Sequence, residues 1–305
     1  MQYITIPHSD LRVSKLALGC MRISGLSVDD VEKLVLKALD LGVNFFDHAD
    51  IYGGGESEVK FGEVLKRHPE LRERMIIQTK CGICQGYYDL SKEHIIASVD
   101  KSLQRLGIED IDILLLHRPD ALMDPKEVAS AFDELYESGK VHYFGVSNMT
   151  PGQIEKIQKH TKHPILFNQL QFNVVNAGMI DQGIFANMTD PHAIDHDGGI
   201  LDYCERKEIT IQPWSILQAS WEKGSYLNHP DYQKLNDCLQ QLSEKYQVSK
   251  SAIALAWILR YPTDMQPIAG TTSPKHLEEL VQAFDIELSR QDWYALYLSV
   301  DRVLP

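Results

Sequence analysis

The sequence predicts a parallel (β/α)8 barrel, and three observations carry the prediction. Eight short apolar runs alternate with segments of helical spacing. The runs are apolar almost throughout, as strands covered on both faces must be. No G-x-G-x-x-G fingerprint follows the first run, which counts against the open doubly wound sheet that shares this alternation. The 305 residues hold no long polar linker, so residues 1–305 are expected to form a single barrel domain.

Tyr3 to Ile6, a turn at Pro7 to Asp10, and Leu11 to Val13 read as a short hairpin. The first buried strand is Leu16 to Gly19. Val28 to Leu41 places Val31, Leu34, Val35, Ala38 and Leu39 on one helical face, and Gly42 stops it. Val43 to Phe46 is the second strand, and Glu56 to Lys66 its helix. Met75 to Lys80 is the third strand; Ser91 caps a helix that reaches Leu106 and ends at Gly107. Ile111 to Leu116 is the fourth strand, followed by a helix from Pro125 to Ser138. Val141 to Val146 is the fifth, and Thr150-Pro151 opens a helix to His160. The sixth strand is Ile165 to Gln171. A helix from Gly199 to Lys207 leads to the seventh, Ile209 to Trp214. Helices from Tyr232 to Tyr246 and Ser249 to Leu259 precede the eighth, Gln266 to Ala269. Two more, Ser273 to Ala283 and Ser289 to Leu298, close the chain. The connections Asn173 to Gly198 and Ser215 to Asp231 are long and are expected to cover the mouth of the barrel.

The bulk numbers exclude some functions. A net charge of −13 argues against nucleic acid or an anionic membrane as partner. No apolar run is long enough to span a bilayer, and the first residues lack the basic-then-apolar order of a secretory signal. Five cysteines in a chain of this length point to reduced thiols and a cytoplasmic protein.

In such a barrel, chemistry gathers where strands end. The second strand ends at Asp47, with Tyr52 five residues on. The third ends at Lys80 and the fourth at His117. The fifth ends in Ser147-Asn148, the sixth carries Asn168-Gln169, and the seventh ends in Trp214-Ser215. A phenol has a pKa of about 10, so it becomes a useful acid near neutral pH only beside a cation. Lys80 is that cation, and Asp47 is a counter-ion that could hold it. Taken singly, each has a blander reading: a solvated Lys, a structural His, an Asp that caps a loop. The coincidence of four such groups at three successive strand ends argues for a site.

Those segments resemble the aldo-keto reductase superfamily. Asp47-x4-Tyr52-Gly53 with Glu56, Thr79-Lys80, Leu114 to His117 with Pro119-Asp120, Gly145 to Asn148, and Asn168 to Gln171 are similar to its signatures, in order. The hairpin resembles the family's cap on the barrel floor. The match runs from Tyr3 to Ala283 and looks more like the bacterial YdhF-type branch than the mammalian aldose reductases. The resemblance implies reduction of an aldehyde or ketone, with NADPH as cofactor and NADH left open. It implies Asp47, Tyr52, Lys80 and His117 as the catalytic tetrad, with Tyr52 as proton donor and Lys80 lowering its pKa. Ser147, Asn148 and Gln169 match positions that hold the carboxamide, Trp214 the ring stacked on the nicotinamide, and Ser215 and Leu217 the pyrophosphate cover. At the adenosine end it implies Gly270, Thr271, Lys275, His276 and Glu279, but His276 stands where the family has an Arg, and a neutral imidazole grips a phosphate poorly.

Other readings remain at this stage. His48-x-Asp50 with His117 could serve a metal-dependent barrel hydrolase, although no metal site is expected. A cofactor-binding sensor without turnover is the third reading. Cys81-x-x-Cys84 leaves its role open, with an oxidation-sensitive thiol near the mouth as a minor alternative and a metal as a lesser one, and Tyr87, Tyr88 and Trp221 could line an apolar substrate pocket. His192, Asp195, His196 and Asp197 read as loop polarity. The natural substrate and the choice between monomer and small homo-oligomer are not legible.

Overall fold

The computed structural model describes all 305 residues. Its eight parallel strands are β1 (Ala17–Gly19), β2 (Phe45–Asp47), β3 (Ile76–Cys81), β4 (Ile111–Leu116), β5 (Val141–Ser147), β6 (Ile165–Gln171), β7 (Thr210–Trp214) and β8 (Ile268–Ala269). Each pairs with its neighbours in sequence, and β8 returns to pair with β1. The barrel closes between β7 and the approach to β8, where Ile211 bridges Met265 and the Gln266 amide donates to the Ile211 carbonyl at 3.0 Å. The helices are α1 (Val28–Asp40), α2 (Glu56–Arg67), α3 (Lys92–Leu106), α4 (Pro125–Glu137), α5 (Pro151–Gln158), α6 (Gly178–Ile184), α7 (Ile200–Arg206), α8 (Gln233–Tyr246), α9 (Lys250–Leu259), α10 (Pro274–Val281) and α11 (Arg290–Tyr297). The caps read from the sequence form as expected: the Ser91 side chain accepts from the His94 amide, and Gly107 ends α3 in the left-handed region.

The N-terminal hairpin, Tyr3–Thr5 against Arg12–Ser14, plugs the floor. Its Ile6, Leu11 and Val13 pack with Phe45, Ile113, Leu115 and Phe167 from inside the barrel. Alternation along the strands then fixes what stands above that layer. On β3 the inward series runs Ile76, Gln78, Lys80, and on β6 it runs Phe167, Gln169. Gly145 sits on β5 because a Cβ there would lie 2.4 Å from Leu115 and 3.0 Å from the Phe167 carbonyl. The second layer is therefore polar. Gln78, Gln169, Gln212 and Gln266 are all buried in the barrel, where branched apolar side chains are usual.

Four amides in a closed interior need pairing, and they find it among themselves and their neighbours except at Gln78 Oε1, which is buried without a partner. Gln266 donates to the Ser14 carbonyl at 2.9 Å, and Gln212 donates to Gln266 Oε1 at 2.8 Å. Gln212 Oε1 accepts from Gln78 at 3.0 Å and from Gln169 at 3.2 Å. Both of those amides also donate to Asp47 Oδ1, at 2.6 and 3.0 Å.

The long connection after β6 does not line the mouth. It holds α6 and a polar turn in which His192 meets Asp190 at 2.7 Å and Asp195 accepts from the Asp197 and Gly198 amides. Its first residues buttress the next connection instead: Asn173 Nδ2 donates to the Ser215 and Gln218 carbonyls at 2.7 and 3.0 Å. The connection after β7 covers the mouth as expected, with a small hairpin of Gln218–Ser220 against Gly224–Ser225.

Candidate active site

β2 ends in Asp47, and the turn Tyr52–Gly55 brings the chain back over the strand end before α2 begins. Gly53 has φ 61°, and a Cβ there would lie 2.4 Å from Ser24, so the turn that aims Tyr52 requires glycine. Lys80, at the end of β3, is fully buried beside it. Its ammonium reaches Asp47 Oδ1 at 2.8 Å and Oδ2 at 2.9 Å, the His48 carbonyl at 2.7 Å and the Tyr52 oxygen at 3.0 Å. Asp47, Tyr52 and Lys80, read from three places in the sequence, thus form one hydrogen-bonded set. His117 stands edge-on to Tyr52, ring centres 5.8 Å apart.

Burial works against the Lys80 ammonium, but the Asp47 carboxylate and the Tyr52 oxygen outweigh it and hold its pKa above the usual lysine value. The expectation for Tyr52 needs correcting. Burial raises the phenol above 10.0; Lys80 pulls the other way, Asp47 adds to the rise, and the net direction is up. Desolvation of a phenolate here outweighs one cation whose charge Asp47 already answers. Burial, then Lys80 and Arg118, lower His117 well below the usual histidine value, so the imidazole is neutral. Its Nδ1 is buried without a partner.

A cavity of about 670 Å³ opens above this set. Tyr52, His117, Ser147, Asn148, Gln169 and Trp214 line one end. Ser215, Leu217, Gly270, Thr271, His276 and Glu279 also line the cavity. Asn148 adopts φ 57°, accepts from Trp214 Nε1 at 3.2 Å and donates to Ser147 Oγ at 2.7 Å. Lys275 is the exception among the expected cofactor residues: it does not line the cavity. On the first turn of α10 His276, though exposed, is the one of that pair that lines it.

Three cations in the wall were missed in the sequence: Arg22, Arg118 and Lys250. Arg22 and Lys250 follow β1 and open α9, and no strand-end pattern marks them. Arg118 adjoins a marked histidine and was passed over. Tyr87 and Tyr88 form an exposed hairpin with Ile83 and Cys84 and do not line the cavity, whereas Trp221 does. Cys81 is buried and Cys84 lies 3.7 Å from His94 Nε2; neither lines the cavity, and all five thiols are free.

The groups named for a metal hydrolase do not converge. His48 is buried against Phe61 at 4.5 Å with both ring nitrogens unpartnered, and burial then Lys80 lower it to about 3. Asp50 belongs to a second buried cluster behind Lys80. There Glu58, fully enclosed, accepts from Thr79 at 2.6 Å and from Arg105 at 2.7 and 2.8 Å. Asp50 Oδ1 is buried with no donor, and burial, then Glu58, pushes its carboxyl up to about 6.

The model described as the aldo/keto reductase family matches residues 15–297. Oxidoreductase YdhF of Escherichia coli (strain K12) is 35% identical, with 97% of this chain and 96% of that protein covered. A 6-dehydroglucose reductase of Novosphingobium aromaticivorans is 34% identical over 96% of this chain and 93% of its own. A crystal structure of the thermostable aldo-keto reductase Tm1743 with the inhibitor epalrestat superposes with a TM-score of 0.79, covering 98% of this chain and 100% of the other, at 24% identity; it speaks to the fold.

Proposed function

The chain belongs to the aldo/keto reductase family and is an oxidoreductase of carbonyl compounds; from that premise we propose that it reduces an aldehyde or ketone to an alcohol with Tyr52 as proton donor and NADPH as the preferred cofactor. One observation carries the reading. Lys80 spends its N–H groups on the Asp47 carboxylate, the His48 carbonyl and the Tyr52 oxygen. Because Tyr52 accepts there, its own hydrogen is left for the cavity.

The cavity suits a dinucleotide. Ser147, Asn148 and Gln169 offer hydroxyl and amide groups at one end, and the half-buried face of Trp214 offers a stacking surface. A Cβ at Gly270 would meet only Arg22 within 4 Å, at 3.7 Å, so the backbone there is open to close approach. Arg22 and Lys250 supply positive charge along the way to His276. The bound cofactor supplies hydride to the carbonyl carbon. Tyr52, kept protonated by burial, gives its proton to the carbonyl oxygen as charge develops there. Lys80 then stabilises the tyrosinate, which recovers a proton from solvent. Neutral His117 directs a ring nitrogen at the same oxygen, and Asp47 keeps the ammonium charged. Five free thiols suit a reducing cytoplasm. No helix is long and apolar enough to cross a membrane.

The test is titration of NADPH and NADH by tryptophan fluorescence, then loss of reduced-nicotinamide absorbance with a carbonyl panel, on wild type and Tyr52→Phe. Both proteins are expected to bind NADPH, and the variant to lose turnover by at least about a hundredfold. Cofactor binding with no turnover by wild type would favour the sensor reading, and equal turnover by both proteins would remove Tyr52 from the chemistry.

A further inference from the structure

We propose that Arg118 is an anion clamp at the substrate mouth and that the carbonyl compound reduced here carries a carboxylate. The identity of the anion's bearer rests on the reductase reading above; the clamp itself does not.

Of the three cations in the cavity wall, two are engaged by the protein. Arg22 donates to the Gly270 carbonyl and to Gln218 Oε1, both at 3.2 Å. Lys250 donates to Asn228 Oδ1 at 2.7 Å. Arg118 makes no hydrogen bond and no ion pair; its guanidinium lies 5.8 Å over the Trp214 ring. No protein carboxylate answers it. Asp47 is committed to Lys80, Gln78 and Gln169. Glu279, on α10, also lines the cavity but forms no ion pair with Arg118. A partly enclosed guanidinium gives up hydration without recovering it from the protein, so a bound anion completes its coordination.

The position of Arg118 names the kind of molecule. It follows His117 in the chain, and His117 stands edge-on to Tyr52. The Arg118 guanidinium lies over the Trp214 ring, and both side chains line the cavity. An anion on Arg118 therefore lies a few bonds from a carbonyl held between Tyr52 and His117. One planar fork with parallel N–H groups matches the two oxygens of a carboxylate. A phosphate dianion would ask for more charge than this corner holds, because burial and the neighbouring cations keep His117 neutral. The net charge of −13 gives anions no general attraction to the protein, so a preference for one has to be local.

The experiment uses matched pairs: 4-carboxybenzaldehyde against 4-methylbenzaldehyde, and succinic semialdehyde against butanal, with 4-formylphenyl phosphate as a third arm. Wild type is expected to favour the carboxylate member in kcat/KM. Arg118→Met is expected to lower that ratio about ten- to a hundredfold, chiefly through KM. Arg118→Lys should keep part of the preference, and salt should shrink it in wild type. Equal losses on both members of a pair would mean that Arg118 only supports Trp214, and would overturn the proposal. So would a wild type without preference, one that favours the phosphate, or a preference that survives in Arg118→Met. A second readout needs no turnover: quenching of tryptophan fluorescence by 4-(hydroxymethyl)benzoate, expected with wild type and lost in Arg118→Met. That binding pattern with no turnover of any carbonyl would keep the clamp and fell the reductase reading. Turnover of neutral aldehydes with no carboxylate binding would do the reverse.

Discussion

Asp50→Asn is expected to stabilise the protein, and to do so only above the pH at which Asp50 ionises in the unfolded chain. The carboxyl is raised from 3.8 to about 6, first by burial and then by Glu58. Its Oδ1 has no donor to offset the lost water. A group whose folded pKa is raised holds its proton more tightly in the folded state. Its ionisation therefore costs stability as pH climbs from the unfolded value, near 4, through the folded value, near 6. At about 1.4 kcal/mol for each pKa unit, the full cost is about 3 kcal/mol, of which about 1.4 kcal/mol accrues between about pH 5 and about pH 7.5. Asn keeps the shape and an acceptor and removes the charge. Urea unfolding of both proteins at those two pH values is the assay. The variant should gain about 3 kcal/mol at the higher pH and roughly half of that at the lower. A gain independent of pH would refute the argument, and a loss that is larger at the higher pH would show Arg105 to outweigh burial and Glu58.

Three other outcomes are expected. Lys80→Met leaves the Asp47 carboxylate buried without its cation and should cost about 3–5 kcal/mol in urea unfolding; a loss below about 1 kcal/mol would mean that the two glutamine amides suffice. Lys250→Met should weaken NADPH binding about tenfold more than NADH binding in a fluorescence titration, and equal effects would give the adenosine end to His276 alone. Gln212→Leu removes a donor from Gln266 and an acceptor from Gln78 and Gln169 and should cost about 2–3 kcal/mol of unfolding free energy; a neutral result would show that these amides re-pair with one another.

The barrel was legible because its strands are covered on both faces, and an apolar run that ends in Asp47, Lys80 or His117 has no packing reason to end there. Ile111–Leu116 and Ile165–Gln171 match the expected ranges to the residue; Asp110 and His117 bound the first, and Pro164 opens the second. Besides the three cavity cations, the residues missed are those whose meaning depends on which strands neighbour each other. Gln78 and Gln266 look like ordinary polar interruptions until the closed barrel sets them in one layer with Gln169 and Gln212. The pKa of Tyr52 was misjudged for a related reason: one can read a cation from sequence, but not how completely the water is removed. The role given to the connection after β6 failed because loop length does not say which way a loop leans, and Asn173 leans this one against its neighbour.

The glutamine layer has a consequence for building chimeric barrels. The Ser14 carbonyl below and the Asp47 carboxylate above can only accept hydrogen bonds, so the chain between them has one permitted sense. Gln266 must donate downward, Gln212 must donate to Gln266, and Gln78 and Gln169 must both donate upward. Gln169 is thereby obliged to turn its Oε1 away from Asp47. A hybrid that kept this mouth but took its floor from another barrel would retain every residue lining the cavity and still lose the acceptor that orients Gln266. Nothing would then forbid the amides from reversing one after another up to Asp47. The floor hairpin and the Asp47–Lys80 pair are separated by the height of the barrel, yet they should be transplanted together or not at all.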